Sequence, residues 1–555
     1  MKRNSNRYNM IWRNLTLMIM VIMVSVSCTK DFDEYNTDKT QMMAVGQKEL
    51  DGLFSKAETE GMGWQMAVLA AKFYCIMPMH LCGYTVTGYQ SQELNVLTKA
   101  SNINETYRRA YINVYNHLQV IMNVAKRDNL NAEYGIALVF KVQVFHRQTD
   151  IFGPIPYSEM GQPKESIKFD SQRDVYYQMF DELREAAGLL ETELKKNPAA
   201  NAFGINDMIY NGSVEKWLRF CNTLRLRLAM RISNIDPTKA KMEAEAAVKG
   251  IMLETNADDG LFQTKDLTGS SGYGHGMPQM YQYLTDFMST SMESYMVGYK
   301  DPRISEYWSP VGTPVSQTTD PNFTGNIGGY HGATSGASLE WMTSAILRAH
   351  SLTGPRFADG NQRKTPINVI NAAETWFLKA EGAWKGWNMG TGDAQTFYDK
   401  GIEVSIKQWR PTINATLITE YINSTNTPVA PKNYPYNDAP VTDTPVKFSS
   451  DKNQQYEQIM IQKWLANYPN AVEAYSELRR TRLPKLYAKK TSLNANVNPD
   501  QGQMIVRYPF PDMEKTTQPL EVERATEMLG GNPDLESTPV WWDTNNNGSV
   551  TPGKY

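Results

Sequence analysis

The chain has 555 residues, of which 41% are hydrophobic and 21% are charged. These globular proportions exclude a disordered, collagen-like or coiled-coil protein. The formal net charge is -3, and no basic run extends beyond short ones such as Arg479, Arg480 and Arg482, so a nucleic-acid partner is not expected. The 12 Trp, 30 Tyr and 18 Phe are the more suggestive part of the composition.

Residues 1–27 have the features of a secretory signal peptide. Positions 1–14 are polar and basic, and the apolar run at 15–26 is shorter than the roughly 20 residues that span a bilayer as a helix. Cys28 follows the small Ser27, as in a bacterial lipobox, and is therefore predicted to be acylated and to become the mature N-terminus. Ser25 departs from the Leu or Val that is more common there, so cleavage by an ordinary signal peptidase is the alternative.

Three further cysteines, Cys75, Cys82 and Cys221, cannot form a complete set of disulfides because their number is odd. Core packing is the favoured interpretation, and a disulfide between Cys75 and Cys82 is the second. In an unbroken helix these two would be about 10 Å apart, too far to bridge, but Pro78 is expected to end the helix between them. A metal site that includes His80 is disfavoured by its apolar surroundings.

Apolar residues recur at spacings of three and four in the first half of the chain, which predicts amphipathic helices at 107–121, 138–145, 175–190 and 217–228. The first two are joined by a short turn at 128–131, so they form a helical hairpin. Arg231 lies near the apolar stripe of the fourth helix. If it is buried there, it needs a carboxylate partner.

The segment from about 255 to 365 loses this periodicity and is predicted to form long ordered loops, interrupted by short helices such as one at 281–296. Helices return at 373–384 and 398–409 on either side of a Gly-rich turn at 386–392, and a last one covers 471–482. Their alternation of Ala with aromatic residues resembles a degenerate tetratricopeptide unit, with a generic hairpin as the alternative. The predicted fold class is therefore mainly α, with tetratricopeptide-like hairpins, a long loop-rich region and few short strands.

The sequence offers no motif for common catalytic chemistry. Gly-x-Ser-x-Gly, His-Glu-x-x-His and phosphate-loop patterns do not occur in it. Asp543 begins a run resembling a calcium loop, but Lys554 occupies the twelfth position, where such loops need a carboxylate. We therefore predict no catalytic residue, no metal and no cofactor, although paired carboxylates for glycoside hydrolysis are recognisable only from geometry.

Several blocks resemble the SusD-like (SusD/RagB) outer-membrane lipoproteins, close to their second subgroup, over nearly the whole mature chain. The acidic leader at 31–38 resembles the family's opening, with Lys39 where proline is common, and 149–159 resembles its Gly-x-Ile-Pro-Tyr-Ser turn. The run at 210–231, with Trp217, Arg227 and Arg231, is the most specific block. The remaining matches, in family order, are 301–303, 374–383, 461–481 and 539–543. Most of these residues are expected to be fold determinants rather than ligand contacts.

The resemblance implies a signal peptide at 1–27 and one SusD-like domain at 28–555, lipid-anchored at the outer-membrane surface. It also implies a non-enzymatic receptor that passes glycans to a SusC-type TonB-dependent transporter. Aromatic rings that stack on sugars and neighbouring polar groups are then the candidate ligand contacts. The candidates in the loop-rich region are Tyr273, Arg303, Trp308, Tyr330, His331 and Trp341.

Three alternatives remain open. The same architecture could bind peptides instead of glycans. A surface glycoside hydrolase would place two carboxylates roughly 5 to 9.5 Å apart in a cleft. A scaffold that only binds its transporter would have no ligand pocket.

Overall fold

Helices account for most of the chain that the computed structural model describes. The described residues are 46–62, 64–65, 77–87, 100–263, 273–274, 277, 286–311, 328–336, 350–357, 365–433, 436–492 and 494–547. Cys28, Cys75 and Trp341 lie outside them. In this part of the chain no helix combines the length and apolarity needed to cross a bilayer.

Seventeen α-helices are described. They are α1 Gln47–Gly61, α2 Met77–Leu81, α3 Ala100–Arg108, α4 Asn116–Asp128, α5 Asn131–Phe152, α6 Gln172–Lys196, α7 Val214–Arg231, α8 Pro237–Ala247, α9 Thr290–Gly298, α10 Ile304–Tyr307, α11 Ala372–Trp384, α12 Ala394–Trp409, α13 Ala415–Ile422, α14 Lys452–Asn467, α15 Ala471–Thr481, α16 Asp512–Thr517 and α17 Pro519–Glu527. A π-helical stretch, Arg109–Tyr115, joins α3 to α4.

The described strands are short and pair only in twos. They are β1 Trp64–Gln65, β2 Thr85–Thr87, β3 Gly260–Phe262, β4 Tyr273–Gly274, β5 Asp286–Met288 and β6 Ile367–Ile370. The pairs β1–β4, β2–β5 and β3–β6 are all antiparallel. In each pair the partners are about 100 to 200 residues apart in sequence, so the strands tie remote segments together.

Polar side chains set where many helices begin. The side chains of Ser171, Ser213, Asp236, Asn371 and Asp393 each accept a hydrogen bond from a backbone N–H in the first turn of the helix that follows. Such N-caps satisfy donors that the helix itself leaves unpaired. After α5, Gly153 adopts a φ of 81°, and the chain turns so that Ile155 pairs with Asp170.

Consecutive helices pack as neighbours, which confirms the predicted mainly helical fold. The main contacts join α4 to α5, α5 to α6, α6 to α7 and α7 to α8 in the first half, and α11 to α12 and α14 in the second. The two halves meet where α7 contacts α11. The predicted hairpin is confirmed as well, since α4 ends at Asp128 and α5 begins at Asn131.

The most specific sequence block, 210–231, forms core contacts. Trp217 is fully buried and lies 6.0 Å from the Phe54 ring, edge to face. Its indole N–H donates to Asp207 at 2.7 Å. Asp207 also accepts from the backbone N–H groups of Tyr210 and Gly212, at 3.1 and 2.8 Å, so one buried carboxylate orders the whole turn before α7.

A group of buried charges, which we call the central charge network, joins five helices. Each member is at most 6% exposed. The members are Asp150 on α5, Arg227 and Arg231 on α7, Glu374 and Glu381 on α11, Lys463 on α14, and Glu473, Glu477 and Arg480 on α15.

Arg231 confirms the expectation that a buried arginine there needs carboxylate partners. Its guanidinium donates to Asp150 at 2.9 Å, to Glu477 at 3.1 Å and to Glu473. Burial lowers the pKa of Arg231, but these carboxylates outweigh it and raise that pKa above its ordinary value. For Glu477, burial raises the pKa, and Arg480, Lys463 and Arg231 together hold it well below the ordinary value. Both groups therefore stay charged in the core.

Three expectations about local structure need correction. Within the described residues Pro78 does not interrupt the helix: it lies in the first turn of α2, where its missing N–H costs no hydrogen bond. In the described part of the helix expected at 281–296, residues 286–288 form β5 and α9 begins at Thr290, because Ser289 caps a new helix. The last described helix is α17, not the one at 471–482.

The described cysteines are consistent with core packing. Cys82 and Cys221 are both buried. Burial raises the pKa of the Cys221 thiol to about 12, and its Sγ donates to the carbonyl of Leu183 at 3.3 Å.

Replacing Arg231 with methionine tests the central charge network. We expect Arg231→Met to lower the free energy of unfolding by about 3–5 kcal/mol, because three buried carboxylates lose a shared cation. Arg219→Met on the same helix is the control, since its ion pair with Glu215 is partly exposed and is worth about 0–1 kcal/mol. Urea titration measures both. Equal losses for the two variants would contradict the role given to Arg231.

A second prediction concerns Glu58, which is fully buried and accepts from the Met208 N–H at 2.8 Å. Burial, and then the neighbouring Asp207 charge, raise its pKa well above the ordinary 4.5. Above pH 4.5 the folded protein therefore keeps a proton on Glu58 that the unfolded chain releases. The contribution of Glu58 to the free energy of unfolding is complete below about pH 4.5 and is lost as pH rises toward the folded pKa.

Glu58→Gln needs no such proton and can still accept from Met208. We expect the variant to gain stability over the wild type above pH 4.5, by up to about 1.4 kcal/mol per pH unit until the folded pKa is reached. Thermal unfolding between pH 5 and 8 measures the difference. A difference that does not change with pH would show that Glu58 is ionised in the folded protein.

Candidate functional site

Short backbone pairings assemble a surface that we call the loop platform. It consists of β2, β5 and the described segments 308–311, 328–336 and 350–357. Besides the β2–β5 pair, single bridges join Phe287 to Leu352, Ser289 to Ala333 and Trp308 to Thr353. Val86, Phe287 and Ala333 form an apolar cluster beneath it, with Leu352 packed against them.

The platform brings together the ends of several long connections. Val311 donates its N–H to the carbonyl of Gly329 at 2.9 Å, and Gly328 donates to the carbonyl of Val311 at 3.1 Å. These two bonds hold residues 311 and 328 together although sixteen residues lie between them. Loops carried on a rigid support in this way are common positions for ligand contacts.

Gly332 allows the platform to approach α9 closely. A Cβ at this position would lie 2.2 Å from the carbonyl oxygen of Ser289. The Gly332 N–H donates to Oε2 of the buried Glu293 at 2.7 Å, and Oε1 of Glu293 accepts from the N–H of Lys432 at 3.1 Å. One carboxylate therefore connects α9, the platform and the segment after α13.

His331, a candidate ligand residue, is 5% exposed. Its Nε2 lies 3.2 Å from the carbonyl oxygen of Gly328, and its Nδ1 lies 3.5 Å from Oε1 of Glu293. Its backbone N–H donates to the Ser351 hydroxyl at 3.0 Å. These contacts are internal to the platform.

Arg303 was expected to be a polar ligand contact, but the structure places it in the core with no exposed surface. Its guanidinium donates to Asp301 at 2.9 and 2.6 Å, to Ser405 at 2.8 Å and to Gln462 at 2.9 Å. Burial lowers the pKa of Arg303, yet Asp301 outweighs this and holds the pKa well above its ordinary value. The Asp301 carboxylate also accepts a hydrogen bond from the Arg303 backbone N–H, which caps the turn.

Trp308 was expected to be an exposed ring, but it too is fully buried. Its ring centroid lies 5.5 Å from that of Tyr468, so a sugar cannot stack on it in this arrangement. Arg303 and Trp308 are thus buried packing residues in this structure.

Tyr330 keeps part of its surface open to solvent. Burial raises the pKa of its phenol, and Glu306 adds to the effect. Tyr273 lies on β4, where it pairs with Gln65 of β1, and Trp341 lies outside the described residues. Of the candidates whose side chains are described, Tyr330 is therefore the one with an accessible ring.

Sequence reasoning missed the contribution of the segment before α3 to this region. Residues 64–65 and 85–87 pair with residues 273–274 and 286–288, so a stretch some 200 residues earlier in the chain borders the candidate site. Strands of two or three residues leave no periodic pattern, and the aromatic Trp64 was the only available hint.

The described residues contain no group of three or more His, Cys, Asp or Glu side chains placed to hold a metal ion. The Asp543 carboxylate is buried and pairs with Arg482 at 3.1 Å. It also accepts from the Asn545 N–H at 3.2 Å. Within the part of the chain that the structure describes, this turn is held by protein contacts.

Stacked helix pairs that carry a loop platform define a mainly helical fold, and the comparisons with known proteins identify its family. The family model described as "Susd and RagB outer membrane lipoprotein" matches residues 34–543. The chain therefore belongs to the SusD-like family. None of the curated proteins matches it significantly.

Solved structures agree with this assignment. A chitin-binding SusD homologue from Flavobacterium johnsoniae is 31% identical, with a TM-score of 0.75 over 90% of this chain and 99% of that one. A SusD homologue from Bacteroides vulgatus is 26% identical, with a TM-score of 0.77 and the same coverage. One from Bacteroides uniformis is 29% identical, with a TM-score of 0.76 over 89% and 99% of the two chains.

The close approach at Gly332 gives a testable prediction. Gly332→Ala places a methyl group against the Ser289 backbone, so we expect it to lower stability by about 1–3 kcal/mol and to speed proteolysis in the platform. Gly188→Ala is the control: it lies on α6 with open space around it and should stabilise by about 0.5–1 kcal/mol. Thermal unfolding and limited proteolysis measure both. A Gly332→Ala protein as protease-resistant as the wild type would contradict the packing described.

Proposed function

We propose that this protein is a non-enzymatic cell-surface receptor that binds oligo- or polysaccharide and delivers it to a SusC-type TonB-dependent transporter. The observation that carries the proposal is the family match over residues 34–543, together with a 31% identical homologue whose description is chitin-binding. A lipid on Cys28, exposed by removal of residues 1–27, would hold the protein at the outer membrane.

The loop platform is the proposed ligand-binding surface. Aromatic rings stack on the apolar faces of sugars, and neighbouring polar groups bind the hydroxyls. Tyr330 supplies a half-exposed ring there. Tyr273 and Trp341 stay candidates, because each lies in a segment that enters or leaves the platform.

Lipid anchoring also supports a role in delivery. Two partners held in one membrane plane meet at a higher effective concentration than in free solution. A receptor of modest affinity can then pass its ligand to the transporter without first losing it to the medium.

The proposal is tested with a soluble form of the protein that begins at Thr29. It is titrated with chitin oligosaccharides, other polysaccharides and peptides, and each ligand that binds is assayed for new reducing ends. We expect saturable glycan binding without cleavage. Binding of peptides alone would favour a peptide receptor, new reducing ends would indicate a hydrolase, and no binding of any ligand would favour a scaffold.

Within the same titration, Tyr330→Ala tests the platform. Loss of one stacking ring should weaken glycan binding about threefold to tenfold, or about 0.7–1.4 kcal/mol. Tyr177→Ala is the matched control, because Tyr177 is a half-exposed tyrosine on α6, away from the platform. Unchanged affinity in Tyr330→Ala, with unchanged stability, would remove Tyr330 from the site.

A further inference from the structure

A cavity of about 260 Å³ lies between the end of α15, the segment 482–505 and the first turn of α9. It borders the loop platform at Thr85 and Ser335. Most of its wall is apolar, and the apolar side chains that line it include Leu81, Leu478, Leu486, Val497 and Ile505. Its volume suits a ligand of about one ring, slightly below the range of drug-sized pockets.

Hydrogen bonds fix the walls of this cavity. The Tyr487 N–H donates to the Ser291 hydroxyl at 3.1 Å, and the Lys490 N–H donates to the carbonyl of Ser335 at 3.0 Å. On the other side, the Met504 N–H donates to the side chain of Asn547 at 2.9 Å. The cavity is therefore preformed, which lowers the entropic cost of binding.

Arg482 is held on this wall in an unusual backbone conformation. It ends α15 with a φ of 55°, in the left-handed region that Gly and Asn adopt most readily. A non-glycine residue there carries a steric cost. Such strain, where the surrounding structure maintains it, is often found at functional positions.

The guanidinium of Arg482 has donors to spare. One N–H of Nη1 donates to the carbonyl of Arg479, and one of Nη2 donates to Asp543 at 3.1 Å. A guanidinium carries five N–H donors, so three of them, including that of Nε, have no acceptor among the described residues. Its side chain is 26% exposed, and it lines the cavity.

The charges around the cavity favour an anion. Lys489 also lines it, and the described residues of the lining include no Asp or Glu. The first turn of α9, Ser289 to Ser291, adds the partial positive charge of a helix N-terminus. Asp543 neutralises part of the Arg482 charge from outside the lining, so the site suits a single anionic group.

We propose that this cavity binds a small organic carboxylate, with the carboxylate on Arg482 and a compact apolar body against the leucine, valine and isoleucine wall. A carboxylate matches the planar fork of a guanidinium in a two-bond geometry that a hydroxyl or ammonium group cannot copy. The proposal is independent of glycan binding on the platform, since it rests on a different set of side chains.

Calorimetric titration of the soluble protein with benzoate and with glucuronate tests the proposal. Benzamide and glucose serve as their uncharged counterparts. We expect benzoate to bind at one site per chain, at least tenfold more tightly than benzamide and more tightly than glucuronate. Binding of glucuronate but not benzoate would contradict the apolar body.

Three variants locate the site. Arg482→Asn keeps a residue that tolerates the left-handed conformation but removes the guanidinium, so carboxylate binding should fall at least tenfold. Val497→Phe keeps every charge and fills part of the cavity, so it should reduce binding by a similar factor even if Arg482→Asn folds poorly. Lys485→Gln is the control, because it removes a positive charge from the same segment outside the lining and should bind as the wild type does.

The proposal is overturned if benzoate does not bind, or if benzamide or glucuronate binds equally well. Wild-type affinity in both Arg482→Asn and Val497→Phe would overturn it as well. Glycan binding measured on the same three variants should be unchanged, which separates a failure here from a failure of the proposed receptor function.

Discussion

The central charge network is the constraint on which the rest of the structure depends. It places three arginines and one lysine against five carboxylates in a part of the core that water does not reach. A buried charge without a partner costs several kcal/mol, so no member can move or be lost alone. Because the members come from α5, α7, α11, α14 and α15, their mutual pairing fixes how the first and second halves of the helical body pack together.

Helix α14 connects the central charge network to the loops around the platform. Lys463 faces the network and donates to Glu477, while its neighbours face the loops. Gln462 accepts from Arg303, and the Trp464 indole N–H donates to the carbonyl of Cys82, next to β2. The carbonyl of Leu465 accepts from the Tyr307 hydroxyl. Four successive residues therefore connect the charged core to the base of the loop platform.

Much of the helical body could be predicted from sequence, because each helix repeats a local signal. Apolar spacing located α4 to α7, and the demand of a buried Arg231 for carboxylates followed from elementary electrostatics. Four motifs of the SusD-like resemblance contain members of the network: 149–159, 210–231, 374–383 and 461–481. Family motifs of this kind contain residues that cannot be substituted one at a time, because each substitution would leave a buried charge without its partner.

The candidate site was harder to predict because its order is not local. The pairing of residue 65 with residue 273 and of residue 86 with residue 287 depends on the whole fold and leaves no pattern in short strands. Arg303 and Trp308 were predicted to be ligand contacts because of their residue types and their position in the loop-rich region. Asp301, two residues before Arg303, was an available signal of an internal ion pair, and it indicated a structural role.

The helical body, held by the central charge network, and the loop platform, held by pairings between remote segments, are constrained differently. This difference suggests how one fold can serve many ligands. Substitutions in the charge network are penalised together, so the helical body and the backbone bonds at the base of the platform stay the same. The chain between those anchor points, as between residues 311 and 328, meets no such penalty, since lengthening a closed loop costs little free energy. Under the proposed function, ligand preference would change through the loops, while the helical body that carries them would be preserved.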